Sequence, residues 1–397
     1  MRQTAFVLLC LLAACARTPH YSPLPTVPAV CAPVGDSFSV VTFNTALAPG
    51  INEMASLRAP EVAAAAVREF ADDDLVCLEE VWRPEDAASI IAAFGRPANQ
   101  VLTSDTRGHN ESGEDRCASG ALDGLEECVR DKCPRTSAED TTICAVVACR
   151  PALLKLYIFD RPCFNCAAAS VGHPAAEIRA TCTGKGASRF YHGSNGVIML
   201  SRHPLTNPET VELPSSSANR IVLMATMNLP DGRQIEVGCT HLSSRQYGQP
   251  TNPMFADWGD ELRTQLVIAA ERLRNRAENR PIILAGDMNF GPDGPGLEGQ
   301  DTAVWDYAHV LGYSSPAAAA KPPFCTLCPD NTLYGKRSGQ LIDHVLFRNR
   351  TGGPELEALC VERLMDKTVR LGGPESHVVS SLSDHYAVRA RFRFLDR

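Results

Sequence analysis

Six segments of the chain each interrupt a run of apolar residues with Asn, Asp, Glu or His. The segments have strand-like patterns, so these polar side chains are expected inside the protein or at the ends of strands. A buried carboxylate is costly unless it is paired or bound to a metal ion, and six interruptions of one kind indicate a shared site. The residues are Asn44, Glu80, His241, Asp287 with Asn289, Asp343, and Asp384 with His385.

The residue types favour hydrolysis of a phosphate ester. Carboxylates together with an Asn offer the oxygen ligands that Mg²⁺ prefers. Histidines beside carboxylates suit proton transfer, because the carboxylate fixes the tautomer and raises the basicity of the ring. The sequence contains neither a nucleophile elbow centred on Ser nor a Walker loop. The combination predicts water activated against an ester whose negative charge a metal ion masks.

Several of these residues also have an ordinary structural explanation. His241 could be a hydrogen-bonded histidine of the core, and Asn44 could cap nearby backbone groups. Asp343 could pair with the adjacent His344 or with an Arg instead of His385. The final Asp-His pair could form a plain turn before a strand. The residues alone leave these alternatives open.

Strand and helix patterns surround the polar residues. Period-two or continuous apolar runs predict strands, and apolar residues at helical spacing predict helices between some of them. Mixed β runs of this kind fit two stacked sheets covered by helices. Strand patterns cover residues 37–46, 74–82, 195–205, 219–229, 234–244, 280–289, 339–349 and 383–394, and helix patterns cover 59–74, 83–95 and 257–279.

The ordered motifs TFNT, CLEEVW, THLSS, GDMN, LIDHVLF and SDH resemble the endonuclease/exonuclease/phosphatase (DNase I-like) superfamily, nearest to bacterial neutral sphingomyelinases. The resemblance covers about residues 37–105 and 194–394. Each motif is weak alone, but all six in this order are specific. The resemblance implies an α/β (α+β) fold, a four-layer αββα sandwich of two mainly antiparallel sheets flanked by helices. It also implies one cleft at the edges of the sheets.

A divalent cation is implied by the same resemblance. Mg²⁺ is expected, with Mn²⁺ or Ca²⁺ as alternatives. Glu80 would be the principal ligand, Asn44 would contact the metal or the phosphate, and Asp384 would lie near the metal or its water. The family usually has Gln or Asn before the metal-binding Glu, whereas this chain has Glu79. Strand alternation turns Glu79 away from Glu80, as a structural residue or a second carboxylate near the site.

The remaining motif residues acquire catalytic roles by resemblance. His385 would be the general base that deprotonates the attacking water, and Asp343 would orient its imidazole. Asp287 would position the nucleophile, and Asn289 would hold a phosphoryl oxygen. His241 would donate to the phosphate as charge develops in the transition state. Asp287 and Asn289 are two positions apart, so alternation directs both to one side.

The N-terminal residues predict export. Residues 1–15 have one Arg followed by an apolar run from 5 to 14, which is too short to span a bilayer and typical of a signal peptide. The run ends in Leu-Ala-Ala before Cys15 and resembles a bacterial lipobox, in which the signal is cut before Cys15 and the Cys is lipidated; ordinary signal cleavage near Ala14 is the alternative. Residues 16–36 are Pro-rich and predict a flexible tether, leaving 37–397 as the catalytic domain. The expected location is the bacterial cell envelope, lipid-anchored on the outer membrane or periplasmic face, or the exterior.

Cysteine usage is consistent with export. The chain has 16 cysteines; excluding Cys10 in the signal and Cys15 leaves an even number, fourteen. Eight of them lie within residues 105–190, which we expect to form a loop-rich, disulfide-stapled insertion.

The remaining cysteines allow other assignments. Zinc is the alternative for the C-x-x-C pairs at 163–166 and 325–328. Cys77 and Cys239 lie in apolar strand patterns and could be buried thiols.

The composition leaves the substrate open. The net charge is −8, so no global basic excess indicates nucleic-acid binding. The motifs EVW, GDMN and LRTQL resemble those of sphingomyelinases, which favours a phospholipid phosphodiesterase acting as a membrane-tethered monomer. A secreted DNase I-like endonuclease is the alternative, and an inositol-phosphate phosphatase or an inactive surface-binding module is less favoured. For insertion into a bilayer, the sequence offers only Met254, Phe255 and Trp258, which could equally belong to the core.

Overall fold

The computed structural model describes residues 24–32, 35–49, 51–103, 116–133, 138–170, 173–184, 194–216, 220–245, 251–336, 338–373 and 375–395. The predicted signal peptide and Cys15 lie outside these ranges. None of the helices within them combines the length and apolarity needed to span a bilayer.

Strands provide most of the framework. In chain order they are β1 (Val27–Pro28), β2 (Ser37–Leu47), β3 (Leu75–Val81), β4 (Val101–Thr103), β5 (Ile198–Ser201), β6 (Leu205–Leu213), β7 (Arg220–Asn228), β8 (Gln234–His241), β9 (Ile282–Asp287), β10 (Ala320–Lys321), β11 (Asp343–Arg348), β12 (Glu355–Leu364), β13 (Val369–Arg370), β14 (Val379–Ser380) and β15 (Ala387–Leu395).

Nine helices lie in the described residues, and two of those that pack on the sheets, α2 and α8, illustrate why the sequence forms them. Helix α2 begins with a Pro and ends at Gly95 in the left-handed conformation, which glycine adopts without strain. Helix α8 is capped by Asp257, which accepts a hydrogen bond from the Asp260 N–H at 2.8 Å. The helices are α1 (Ala55–Phe70), α2 (Pro84–Phe94), α3 (Asp123–Lys132), α4 (Ala138–Ala148), α5 (Arg150–Phe159), α6 (Arg161–Ala169), α7 (Ala175–Thr183), α8 (Trp258–Ala277) and α9 (Thr302–Val310).

Two large sheets stack face to face. One has the strand order β12-β15-β2-β3-β5-β4, and the other has the order β11-β9-β8-β7-β6. Each contains a single parallel pair, β2 with β3 and β8 with β9, and all its other pairs are antiparallel. The prediction of two mainly antiparallel sheets is confirmed.

Three apolar layers hold the sandwich together. The first lies between the sheets and includes Val40, Leu223 and Phe392. The second packs α1 and α2 on the six-stranded sheet, and the third packs α8 and α9 on the five-stranded sheet. This arrangement buries the central strands on both faces, which explains why their sequences are continuous apolar runs. The four-layer αββα prediction is confirmed.

All fourteen cysteines after Cys15 are paired in disulfides, which excludes zinc at the C-x-x-C pairs. Cys77 of β3 bonds to Cys239 of β8 across the core between the sheets. The expectation of two buried thiols is therefore wrong, because the facing strands bring their Cα atoms to 5.6 Å. The pairs are Cys31–Cys360, Cys77–Cys239, Cys117–Cys163, Cys128–Cys149, Cys133–Cys144, Cys166–Cys182 and Cys325–Cys328. Seven disulfides suit an oxidising extracellular or periplasmic environment.

The described part of the Pro-rich segment is attached to the domain. Strand β1 pairs in parallel with β10, and Val27 is buried in the core between the sheets. The Cys31–Cys360 disulfide fixes the same segment to β12. The prediction of a flexible tether over residues 16–36 is therefore wrong for its second half, because an apolar side chain and a disulfide attach that half to the domain.

The described part of the insertion, within residues 116–184, is helical, so the expectation of a loop-rich segment is wrong there. Helices α3 to α7 occupy it, and four disulfides join them. Its own buried apolar cluster is small, and four of its seven members are cysteines. Short helices with so little apolar burial depend on cross-links for stability. Helix α4 has almost no amphipathic pattern, so apolar periodicity could not indicate it.

Reduction should therefore unfold the insertion before the sandwich. A disulfide typically stabilises a domain by about 2–4 kcal/mol, and the insertion has four within a small core. We expect a thiol reductant without denaturant to accelerate hydrogen exchange in residues 116–184 well before residues 220–241 respond. Oxidised protein handled identically is the control. Unchanged exchange in 116–184 after mass spectrometry has verified reduction of those cysteines would contradict the expectation.

Candidate active site

The polar residues predicted from the sequence meet at one edge of the sandwich. Most of them line a cleft of about 510 Å³ to which both sheets contribute strand ends, and Asn44 and Asp343 contact lining residues from behind. Another groove, of about 600 Å³, lies between β6 and α8 and contains none of the candidate residues. The cleft lining includes Glu80, His241, Asp287, Asn289, Asp384 and His385.

Asp343 and His385 form a buried pair. The Nδ1 atom of His385 lies 2.8 Å from Oδ2 of Asp343, and Asp343 has no exposed surface. The adjacent His344 points to the opposite side of β11, where it contacts the Ser315 hydroxyl and the Phe290 carbonyl. Asp343 therefore has His385 as its partner, and the alternatives with His344 or an Arg are not observed.

The imidazole of His385 is strongly basic. Burial alone would lower its pKa, but the carboxylates of Asp343 and Asp384 hold that pKa well above the ordinary histidine value. Its second nitrogen, Nε2, lies 3.9 Å from Oδ2 of Asp287 and 4.0 Å from Oδ1 of Asp384. One nitrogen is thus fixed by Asp343, and the other is directed at the acids of the cleft.

Asp287 reaches the cleft because a glycine precedes it. Gly286 has φ +154°, and a Cβ atom there would lie 1.9 Å from the Thr240 carbonyl oxygen. Only glycine permits this approach of β9 to β8, which places Asp287 opposite His241 in the parallel register. The Nδ2 group of Asn44 donates to Oδ2 of Asp287 at 2.9 Å.

Burial changes the charge of this pair. Burial, and next the charge of Asp343, raise the pKa of Asp287 to about 7. Burial, and next the charge of Arg220, lower the pKa of His241 well below its ordinary value, so this imidazole is neutral. Its Nε2 atom lies 3.4 Å from Oδ2 of Asp287, and its buried Nδ1 has no protein partner. His241 is therefore a cleft residue and not a satisfied histidine of the core.

Asn289 follows Asp287 in a left-handed conformation, with φ +52°. Its backbone N–H donates to Oδ1 of Asp287 at 3.0 Å, and its side-chain amide donates to the Leu242 carbonyl at 3.0 Å. Asn tolerates this backbone conformation better than most residues. The GDMN motif thus combines a close strand approach with a turn that braces the carboxylate.

Glu80 and Asp384 form the acidic side of the cleft. Glu80 also has a left-handed backbone, with φ +57°, which turns it out of β3 toward the cleft. Burial, and next the charge of Asp384, raise the pKa of Glu80. The Nδ2 group of Asn44 lies 3.3 Å from Oε1 of Glu80, while its Oδ1 accepts from the Ala46 N–H at 3.0 Å. Asn44 therefore both caps local backbone and orients two acids.

The donor set fits a hard divalent cation. Glu80 and Asp384 repel each other and would be stabilised by a cation between them. Beside them, Asp287, Asp343 and His385 present potential ligand atoms within 4.8 Å of one another. One buried oxygen of Asp343 has no protein partner. Oxygen atoms dominate the set, as Mg²⁺ prefers.

Glu79 lies beneath the cleft and not in it. It has no exposed surface, and its Oε1 accepts a hydrogen bond from the Thr42 hydroxyl at 2.8 Å. Burial, and next the charge of Asp343, raise its pKa well above the ordinary value. Of the two possibilities that the sequence allowed, Glu79 is a second carboxyl next to the site, buried between the sheets.

Further residues of the cleft were not identified from the sequence. Tyr334, Lys336 and Gln340 line it from a segment without periodicity, so no pattern marked them. Arg245, which lines the cleft and pairs with Asp301 at 2.7 Å, belongs to none of the six motifs. Arg58 was also missed, although a charged residue on the apolar stripe of α1 was a usable signal.

Several solved structures share this fold at low sequence identity. Sphingomyelinase C from Streptomyces griseocarneus aligns with TM-score 0.52 and 17% identity over 91% of this chain and 99% of that chain. TDP2 of D. rerio complexed with single-strand DNA product aligns with TM-score 0.51 and 14% identity, over 90% and 99%. The human nocturnin catalytic domain with bound sulfate aligns with TM-score 0.50 and 14% identity, over 92% and 97%.

No curated relative matches the chain by sequence, and the low identities to solved structures show the fold alone. The family model described as Endonuclease/Exonuclease/phosphatase family matches residues 41–385, most of the chain. The chain therefore belongs to the endonuclease/exonuclease/phosphatase family, whose members are hydrolases acting on phosphate esters.

Proposed function

We propose that the protein is an exported phosphodiesterase that depends on a divalent cation, with a phospholipid of the sphingomyelin type as its preferred substrate. The observation that carries the reaction class is the convergence of a buried His-Asp pair with the acids Glu80 and Asp384 in one cleft. A base and a set of oxygen ligands at one place are what hydrolysis of a phosphate diester requires.

The proposed mechanism divides the work between the two sides of the cleft. Glu80 and Asp384 would hold the cation, which when bound masks the negative charge of the phosphoryl oxygens. Asp343 holds Nδ1 of His385, so that Nε2 is the atom available to take a proton from the attacking water. Asp287, fixed by Asn44 at 2.9 Å, would orient that water.

Stabilisation of the transition state would come from neutral donors. His241 is kept uncharged by burial and by Arg220, so it can donate one N–H without binding the ground-state anion strongly. Asn289 would hold a phosphoryl oxygen from the neighbouring strand end. Donors fixed in advance and aimed at developing charge are the most effective contribution of this kind.

The charges that line the cleft favour a substrate with a small headgroup and not a polynucleotide. Arg245 is engaged with Asp301, and the acid Glu298 also lines the cleft. The described lining residues therefore form no continuous basic track of the kind that a nucleic-acid backbone binds. Lys336 at the cleft favours the alternative, a secreted endonuclease, because one exposed Lys could contact a flanking phosphate.

Access to lipid would depend on exposed apolar side chains and on the N-terminal anchor. Of the three residues considered for bilayer insertion, Phe255 is buried and Met254 is 64% exposed. A lipid on Cys15, which would keep a monomeric enzyme beside the membrane, rests on the lipobox-like sequence alone. Sphingomyelinase C from Streptomyces griseocarneus shares the fold of this chain, which is consistent with a lipid substrate.

One substrate panel tests the proposal. Purified protein with Mg²⁺ would be given sphingomyelin vesicles, phosphatidylcholine vesicles, supercoiled plasmid and inositol phosphates. We expect release of phosphocholine from sphingomyelin, abolished by a chelator and restored by Mg²⁺. A His385→Asn protein purified in the same way controls for contaminating hydrolases. Nicked plasmid with intact lipids would replace the lipid assignment with the endonuclease alternative.

A further inference from the structure

Arg58 is buried where charged residues are rare. It lies in the first turn of α1, on the stripe formed by Ala55, Ala59 and Val62, and has no exposed surface. By volume it is the largest fully buried side chain in the described part of the chain. A charged group this deep is retained only if many hydrogen bonds compensate for its lost hydration.

Four backbone carbonyl oxygens accept hydrogen bonds from the guanidinium group. Nε donates to Glu53 at 2.9 Å, and Nη2 donates to Ala46 at 2.6 Å. Nη1 donates to Thr45 at 3.2 Å and to Leu382 at 2.6 Å. One side chain therefore joins the end of β2, the entrance to α1 and the segment before β15, which are far apart in the sequence.

Two of these three segments carry the proposed chemistry. Thr45 and Ala46 directly follow Asn44, and Leu382 lies two residues before Asp384 and three before His385. The segments also contact each other, since the Ser383 hydroxyl donates to the Asn44 carbonyl at 2.7 Å.

We propose that Arg58 is a positioning residue for catalysis. Its guanidinium clamps the Asn44 segment to the Asp384–His385 segment from beneath, without touching the cleft. The inference deepens the proposed function and rests on it for its kinetic consequences.

The backbone at this point needs external support. Ala46 has φ +50°, a left-handed conformation that costs a non-glycine residue energy and persists when its surroundings impose it. The Ala46 N–H donates to Oδ1 of Asn44. The Thr45 carbonyl, which belongs to the same peptide group as that N–H, and the Ala46 carbonyl both accept hydrogen bonds from Arg58. Loss of these two hydrogen bonds would let the peptide groups on either side of Ala46 rotate, which would release the Asn44 side chain from its position beside Glu80 and Asp287.

Only a guanidinium can make this set of contacts. It presents five donors in a rigid plane, whereas a Lys ammonium is a single point with three. Arg58→Lys preserves the charge and most of the length but cannot reach carbonyls on three segments together. The substitution therefore tests the clamp and not the charge.

The test compares Arg58→Lys with Arg276→Lys. Arg276 joins Glu236, Glu209 and the Asn207 carbonyl at the sheet end away from the cleft, so it is a matched clamp outside the site. With a chromogenic phosphodiester, well below both melting temperatures, we expect kcat of Arg58→Lys to fall about 10- to 100-fold with KM unchanged. Arg276→Lys should keep wild-type kcat. Equal losses in both variants, or no loss in Arg58→Lys, would overturn the proposal.

Two further measurements separate positioning from general stability. In Arg58→Ala, added guanidinium should restore part of kcat, and methylammonium should not. Hydrogen exchange at residues 44–47 and 382–385 should accelerate in Arg58→Lys and not in Arg276→Lys. The exchange result needs no activity, so it tests the clamp even if the wild-type protein hydrolyses none of the esters. Unchanged exchange at both segments in Arg58→Lys would refute the clamp.

Discussion

Replacing His385 with Asn should lower kcat about 10²- to 10⁴-fold, the usual loss when a general base is removed. Asn retains a polar side chain of similar size, so the buried Asp343 keeps a hydrogen-bond donor and the fold should survive. KM should change little, because the proton transfer occurs in the transition state and not on substrate binding.

The pH dependence follows from the same residue. The base must be neutral to accept a proton, and Asp343 and Asp384 hold the pKa of His385 well above its ordinary value. The wild-type rate should therefore fall as the pH decreases through that raised pKa. The residual rate of His385→Asn should lack this acidic limb.

A matched control exists elsewhere in the same sheet. His203 pairs with Asp74 at 2.6 Å, near the start of β3 and away from the cleft. His203→Asn removes another imidazole–carboxylate pair and should leave both kcat and the pH profile unchanged. Equal effects of the two substitutions, or a loss of melting temperature sufficient to explain the His385→Asn result, would remove His385 from the role of base.

Replacing Glu80 with Gln should raise the Mg²⁺ concentration needed for half-maximal activity by at least about 10-fold. Gln has the same shape without the charge, so the loss reports on cation binding. In the metal-free protein, the same substitution should increase the stability of the fold. Burial and Asp384 raise the pKa of Glu80, so its ionised form destabilises the fold above that pKa, and Gln relieves this cost.

Two measurements check the higher Mg²⁺ requirement and the higher stability of the metal-free variant. Activity titrated with Mg²⁺ gives the metal requirement, and melting temperatures with chelator and with Mg²⁺ give the stability. Glu362→Gln is the control, since Glu362 pairs with Arg389 at 2.8 Å on the same sheet but outside the cleft. An unchanged Mg²⁺ titration in Glu80→Gln would exclude Glu80 as a ligand.

Residues with local signatures could be placed from the sequence. Alternation along β15 and the apolar runs of β2 and β3 determine strands, because a strand buried on one or two faces must carry such patterns. The polar residues at the ends of those runs were sufficient to gather Glu80, Asp287 and His385 into one predicted site, and the structure brings them into one cleft.

Contacts between distant segments could not be placed in this way. Cys77 and Cys239 are 162 residues apart, and Cys31 and Cys360 are 329 apart, so no local pattern links them. Arg58 reaches Leu382 across 324 residues and satisfies carbonyl groups, which every residue possesses. The sequence shows an isolated charge on an apolar stripe and gives no information about its acceptors.

The disulfide between β3 and β8 makes the covalent joining of the two sheets depend on the redox environment. Asn44, Glu80 and His385 come from one sheet, whereas His241, Asp287 and Asp343 come from the other, and Cys77–Cys239 is the covalent bond between the two sheets at the core. Such bonds form in oxidising compartments and not in the cytosol. The covalent bond between the two sheets that carry the site therefore requires an oxidising environment, and under reducing conditions the sheets would be held together by the chain and by noncovalent contacts.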